Sequence, residues 1–146
     1  MSKSKPKNNR ATLKGKGKIG LSKTSLSTTE NNDKKPPIFS FHQIGRHYCL
    51  DLCQTEEKVA LIDTIHKLSQ STWQELRNAN RHGLGTEKIE HSSITGCAVP
   101  NFILVQNIPL LAFRFHGKKP MVGYRENQIF HILWLDRDFT LYDHGS

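Results

Sequence analysis

The stretch that decides the fold is LLAFRFHGKKPMVGYRENQIFHILWLDRDFTLYDH, residues 110–144. Apolar and polar side chains alternate through much of it, and short segments rich in Gly, Pro, Asn or Asp interrupt the alternation. A period of two is typical of strands, and brief interruptions of this composition are typical of hairpin turns. The stretch therefore predicts four consecutive antiparallel strands, at residues 110–116, 121–125, 128–135 and 139–143.

The third predicted strand is apolar on both faces, because Leu133 and Leu135 alternate with Ile132 and Trp134. A strand of this kind is buried on both sides. We therefore expect residues 128–135 to form the central strand of the sheet.

Two helices are predicted before these strands. The first covers about residues 55–69, where Thr55 can serve as the N-cap. Its apolar side chains recur on one stripe, as in a helix that packs one face on a core: Leu61, Ile62, Ile65 and Leu68. The second helix begins at about residue 72, since Thr72 and Glu75 have the spacing of a capping box.

Three shorter extended segments are predicted elsewhere, at residues 38–41, 46–53 and 102–105. In residues 46–53 the apolar side chains alternate with polar ones, which favours a half-buried strand. The predicted fold class is α+β: two helices packed on a twisted antiparallel β-meander, preceded by a disordered basic tail.

The positive charge of the chain lies at its N-terminus. Residues 1–35 contain ten Lys and Arg against two acids, whereas residues 36–146 contain eleven of each. The first segment has few large apolar side chains to bury, so we predict that it is disordered. The predicted domain division is a basic tail over residues 1–35 and a single neutral domain over residues 36–146. The tail is either an electrostatic arm for nucleic acid or a solubilising segment.

The three cysteines are an odd number, and the basic N-terminus is not followed by an apolar stretch. These features predict free thiols, a cytoplasmic location and no membrane segment. Cys49 and Cys53, with His42 and His47 nearby, have a loose metal-ligand spacing, but buried thiols are the favoured interpretation. No phosphate-binding loop or dinucleotide fingerprint follows a strand, so no cofactor is expected.

Basic side chains are concentrated on one predicted strand pair, with no acid among them from residue 114 to residue 125. Guanidinium groups bind phosphate through two hydrogen bonds, and ammonium groups act as point charges. The cluster therefore predicts a phosphate-binding surface, with a solvated sheet edge as the alternative. Its members are Arg114, His116, Lys118, Lys119 and Arg125.

The C-terminal end supplies a second group of candidate residues for RNA cleavage: Asp136, Arg137, Asp138, Tyr142, Asp143 and His144. Cleavage of RNA without a metal requires a group that removes the 2′-hydroxyl proton and one that protonates the 5′-oxygen. It also requires cations that stabilise the charge at phosphorus. Proton transfer could come from His116, His131, His144 or Tyr142, and charge stabilisation from Arg114, Arg125 and Arg137.

The chain resembles the RelE/ParE superfamily of bacterial toxins over about residues 55–144. The resemblance is carried by Phe113–Arg114–Phe115, Gly123–Tyr124–Arg125 and the apolar run at residues 130–136. Many members of that superfamily are mRNA endonucleases that act on the ribosome. The resemblance implies a RelE-like domain, metal-independent RNA cleavage, a cognate antitoxin partner and a catalytic His or Tyr near the C-terminus. The neutral domain charge, the segment before the helices and an insertion at residues 83–104 depart from the pattern.

The expected function is that of a toxin-like endoribonuclease. Arg114 and Arg125 would hold and stabilise the scissile phosphate, and Tyr142 or His144 would transfer protons. Additional contacts to RNA would come from His116, Lys118, Lys119 and Arg137. The alternative is a non-catalytic nucleic-acid-binding or protein-interaction module with a basic arm.

Overall fold

The structure, a computed structural model, describes residues 32–80 and 83–144. Its sheet has five strands: β1 (Ile38–Ser40), β2 (Glu87–Ile89), β3 (Leu110–His116), β4 (Lys119–Glu126) and β5 (Ile129–Leu135). The α-helices are α1 (Thr55–Leu68), α2 (Trp73–Asn78) and α3 (Asn101–Val105), and single 3-10 turns lie at Arg46–Tyr48, Leu50–Leu52 and His91–Ser93. The strand order is β1-β5-β4-β3-β2, with β1 parallel to β5 and all other pairs antiparallel. The predicted α+β class is confirmed.

The sheet is covered on both faces. One face, called here the α1 face, packs Phe113, Phe130 and Ile132 against apolar residues of α1 and α2. The other, called the α3 face, packs Leu110, Val122 and Leu133 against Ile103 of α3 and against Leu141 and Tyr142 of the C-terminal segment. The prediction that residues 128–135 form the central strand is wrong, because β4 takes the middle position. The strand is still interior, since β5 lies between β1 and β4 and is covered on both faces.

Both predicted helices are present. In α1, Leu61 and Leu68 are fully buried, but Ile62 of the predicted stripe is 58% exposed. The N-cap of α1 is Gln54 rather than Thr55, and it forms a capping box with Glu57. The predicted capping box of Thr72 and Glu75 begins α2.

Three predicted strands are wrong. Residues 46–53 form two 3-10 turns, because the N–H groups of Tyr48, Leu52 and Cys53 bond to carbonyls three residues earlier. Residues 102–105 lie in α3, where only Ile103 is fully buried. A run of four apolar residues fits either a strand or a buried helix. Here the hydrogen bond from Ile103 N to Pro100 O begins a helical turn.

The fourth strand of the predicted meander, residues 139–143, is also not formed. Phe139 has a positive φ of 59°, and within the described part of the chain the only sheet-like pairing of this segment is an isolated bridge between Tyr142 and Ile94. The Asp136 carboxylate accepts hydrogen bonds from the backbone N–H groups of Thr140 and Leu141. These amides therefore bond to a side chain instead of a strand.

The predicted tail extends too far. The N–H groups of Trp73 and Gln74 bond to the carbonyls of Lys35 and Asp33, and Asn32 is 3% exposed. Residues 32–35 therefore belong to the fold. The remainder of the predicted tail, residues 1–31, lies outside the described residues.

Candidate active site

The C-terminal segment, residues 136–144, folds back over the α3 face because the Asp136 side chain holds it. Asp136 is completely buried at the end of β5. Its Oδ1 accepts a hydrogen bond from Thr140 N at 2.9 Å, and its Oδ2 accepts one from Leu141 N at 3.2 Å. These two hydrogen bonds fix the segment at the end of β5, so the side chains that it carries are held in defined positions.

The His144 ring is held by two contacts. Its Nε2 donates to Asp136 Oδ2 at 3.0 Å, since a carboxylate can only accept. The ring also stacks on Tyr142, with centroids 3.9 Å apart and planes at 27°. With the proton on Nε2, the neutral ring keeps the lone pair of Nδ1, which can accept a proton. This Asp–His arrangement is typical of general bases.

Tyr142 lies beneath that ring and is 8% exposed. Burial raises the pKa of its hydroxyl to about 12, with further contributions from the negative charges of Glu87 and Asp136, and Arg114 acts in the opposite direction. The phenol is therefore protonated at neutral pH. It can donate a proton, but it is a poor base.

Arg114 is on the same face of the sheet as Tyr142 and His144. It lies between Phe113 and Phe115, which both point to the α1 face, so its own side chain points to the α3 face. The Arg114 side chain is 22% exposed, and its guanidinium lies 3.9 Å from Glu87 Oε1 of β2. Its charge acts on the Tyr142 hydroxyl. The structure thus brings together three of the four predicted catalytic residues.

The fourth, Arg125, lies on the opposite side of the sheet. Its register partner is Phe130 of the α1 face, and its guanidinium stacks over Trp73 at 4.4 Å. Arg125 NH2 bonds to Asp33 Oδ1 at 2.7 Å, and this hydrogen bond is the main reason that the pKa of Asp33 is lowered. The expected joint action of Arg114 and Arg125 on one phosphate does not fit this geometry. Arg125 instead attaches residues 32–35 to the domain.

The predicted RNA-contacting residues are also dispersed. Lys119 and Arg137 both bind the buried Glu57, at 2.7 Å each. Lys118 is exposed at the hairpin between β3 and β4. The strand register shifts between Arg114 and His116, so His116 does not follow the alternation that places Arg114 on the α3 face. Its buried Nδ1 has no hydrogen-bond partner among the described residues.

The predicted thiol pair is placed as follows. Cys49 and Cys53 are free, and the Cys53 Sγ lies 4.0 Å from the Cys49 carbonyl oxygen. Burial raises the pKa of the Cys53 thiol. Within residues 32–80 and 83–144, no three His, Cys, Asp or Glu side chains are grouped so that they could hold a metal ion.

Sequence reasoning missed two acidic residues. Glu87 reaches Arg114 only because β2 pairs with β3, and β2 lies in a stretch without a readable pattern. Glu57 resembles an ordinary first-turn glutamate, and the sequence contains no signal that Lys119 and Arg137 converge on it. A third, Asp136, belonged to the predicted C-terminal group, but its capping role depends on the tertiary fold.

In comparisons with known proteins, no protein family, curated protein or solved structure matches the chain. Among the described residues, no helix has the length and apolar character needed to cross a bilayer. The interpretation of the site therefore depends on its chemistry.

Proposed function

We propose that this protein is a toxin-like endoribonuclease that cleaves RNA by metal-independent acid–base chemistry. The observation that supports the proposal is the placement of Arg114, Tyr142 and His144 on one face of the sheet, with His144 held by the buried Asp136. A base, an acid and a cation are the three groups that this reaction requires.

In the proposed reaction, His144 Nδ1 removes the proton from the 2′-hydroxyl of a ribose. The 2′-oxygen then forms a bond to the adjacent phosphorus, and the bond from phosphorus to the 5′-oxygen breaks. The leaving 5′-oxygen, which as an alkoxide is a stronger base than a phenolate, takes the proton of Tyr142, a phenol that is protonated at neutral pH. The products are a 2′,3′-cyclic phosphate and a 5′-hydroxyl, and solvent returns the protons.

Asp136 acts as a positioning residue, and Arg114 stabilises charge. The buried carboxylate fixes the His144 tautomer and stabilises the imidazolium that forms. Arg114 is partly exposed, so its guanidinium can turn toward a phosphate and stabilise the charge that develops there. The partners implied by the RelE/ParE resemblance, ribosome-bound RNA and a cognate antitoxin, remain part of the proposal.

The test is cleavage of a 5′-labelled single-stranded RNA by purified protein in excess EDTA, with and without ribosomes. We expect His144→Ala and Arg114→Ala to lower the rate roughly 100-fold or more. Tyr142→Phe, which removes only the hydroxyl, should lower it by a similar factor. His66→Ala and Arg77→Ala are matched controls, because both side chains are exposed on α1 and α2. They should cleave like the wild type.

Absence of cleavage by folded wild-type protein under both conditions would overturn the proposal. A second measurement identifies the alternative, a binding module that uses its basic arm. Deletion of residues 1–31 should leave cleavage at saturating RNA intact if the protein is a nuclease. In a binding module, the same deletion should remove most of the salt-dependent affinity for RNA.

A further inference from the structure

A groove outside the candidate site lies along the 3-10 turn at Arg46–Tyr48. It consists of two clefts of about 380 Å³ and 260 Å³ that share His47 and Tyr48 as a common wall. The larger cleft is bordered by Asp138 and Thr140, and the smaller one by Arg46 and Trp134. Together they reach the size range of small-ligand sites, about 300–1,000 Å³.

The groove is preformed, because the turn that lines it is anchored at both ends. At its start, Gly45 N bonds to Leu133 O at 2.7 Å, and a Cβ on Gly45 would lie only 3.2 Å from the Trp134 ring. At its end, the Tyr48 hydroxyl lies 3.1 Å from Thr140 Oγ1. The chain thus holds two aromatic rings, His47 and Tyr48, at the wall of a fixed groove.

The groove adjoins the candidate active site through the C-terminal segment. Arg137, Asp138 and Thr140 line its larger cleft, while Asp136, just before them in the chain, holds His144. Cys97, on the wall of the smaller cleft, is close enough to Asp136 that the carboxylate adds to the rise in its thiol pKa, which is due mainly to burial. Asp136 therefore lies near both the His144 ring and the wall of the smaller cleft.

The charges in the groove do not favour a phosphate. Arg137 is already bound to Glu57 at 2.7 Å and lies 3.6 Å from Asp138. Asp138 is 69% exposed and would repel an anion. A carboxylate can, however, accept hydrogen bonds from the exocyclic amine or ring N–H of a base. The exposed ring of His47, beside Arg46 and the partly buried Tyr48, is suited to stacking a base.

We infer that this groove binds a nucleobase of the RNA, next to the bond that the protein cleaves, and gives the enzyme its base preference. The inference is based on the proposed nuclease function and names the recognition element of the same site. His47, Tyr48 and Arg46 supply the stacking surfaces, and Asp138 supplies the acceptor that distinguishes one base from another.

The test uses short 2′-O-methyl RNA oligonucleotides, which cannot be cleaved by 2′-oxygen attack, one for each of the four bases. Binding of the fluorescein-labelled oligonucleotides is followed by anisotropy. We expect one base to bind best and His47→Ala to weaken its binding about tenfold, the scale of one lost stacking contact. Asp138→Asn should change the order of the four bases. His66→Ala is the control, because it removes an exposed histidine from α1, away from the groove.

Cleavage of unmodified RNA by the same proteins separates this inference from the proposed function. If the wild type cleaves RNA but His47→Ala and Asp138→Asn alter neither affinity nor base preference, the groove assignment is overturned and the nuclease stands. If both variants alter binding but the wild type cleaves nothing, the groove is supported and the nuclease is overturned. Equal binding of all four bases by wild type and both variants also overturns the groove.

Discussion

At the scale of single residues, Glu57 connects three parts of the fold. It is 3% exposed in the first turn of α1, and its carboxylate binds Lys119 of β4 and Arg137 after β5, at 2.7 Å each. Burial alone would raise its pKa. The hydrogen bonds from Lys119, the Gln54 backbone and Arg137 outweigh burial and lower the pKa to about 2. The charged form of Glu57 therefore contributes to stability.

Because the pKa of Glu57 is lower in the folded protein than its ordinary value of 4.5, its contribution is complete above about pH 4.5. It is lost as the pH falls toward about 2. Over that window the shift corresponds to about 3 kcal/mol. Glu57→Gln should lose about 3 kcal/mol at pH 7 and show less acid destabilisation between pH 4.5 and 2 than the wild type. Urea denaturation at several pH values measures both effects.

The neighbouring Glu56→Gln is the matched control for that experiment, because Glu56 is exposed in the same turn. It should keep the stability and the acid sensitivity of the wild type. Identical curves for Glu57→Gln and Glu56→Gln would show that the buried network contributes nothing.

Arg114 and Arg125 are close together in the sequence, but the alternation of side chains along each strand places them on different faces of the sheet. Arg114 and Arg125 lie on adjacent strands, but Arg114 alternates with Phe113 and Phe115, whereas Arg125 is opposite Phe130. Their side chains therefore lie on opposite faces of the sheet. Charge clustering in a sequence indicates a shared surface only when the register places the residues on the same face.

At the scale of elements, a β-bulge in β5 determines which side chains reach the α3 face. Val122 pairs with Trp134, but the next residue, Gly123, pairs with Ile132, so Leu133 is the extra residue. As a result, Leu133 and Trp134 both pack on the α3 face instead of alternating. The carbonyl of Leu133 accepts the bond from Gly45 N that anchors the groove.

The bulge requires a glycine at position 123. A Cβ there would lie 2.0 Å from the His131 carbonyl oxygen and 3.0 Å from the Phe130 ring. We expect Gly123→Ala to destabilise the fold by about 3 kcal/mol, since backbone atoms must move. The melting temperature should fall by roughly 10 °C or more. Gly83→Ala is the control, because the nearest atom to its Cβ would be Asn80 O at 3.6 Å. Equal melting temperatures for the two variants would contradict the tight packing at Gly123.

At the scale of the whole molecule, residues 32–35 connect the N-terminal segment to the sheet and to α2. Asp33 binds Arg125 at 2.7 Å and Arg77 at 3.3 Å. The backbone carbonyls of Asp33 and Lys35 accept the N–H groups of Gln74 and Trp73. The folded domain therefore begins before the Pro36–Pro37 pair, although composition alone places the boundary there.

Two truncations test this boundary. Deletion of residues 1–31 keeps Asp33, so the melting temperature should match that of the full chain. Deletion of residues 1–35 removes the ion pairs and backbone hydrogen bonds and should cost about 2 kcal/mol. Thermal denaturation followed by circular dichroism measures both. The same melting temperature for both truncations would show that residues 32–35 are not part of the cooperative fold.

The sequence by itself determined the α+β class, the two main helices, the three long antiparallel strands and three candidate residues of the site, Arg114, Tyr142 and His144. These features depend on local periodicity and capping, which act between residues close together in the chain. Only the tertiary structure decided that Arg114, Tyr142 and His144 share a face while Arg125 does not. It also decided that residues 139–143, which were predicted as a strand, form an irregular segment whose backbone amides bond to Asp136. Strand register, the bulge at Leu133 and the capture of backbone amides by a buried carboxylate arise from contacts between distant parts of the chain, so no local pattern specifies them.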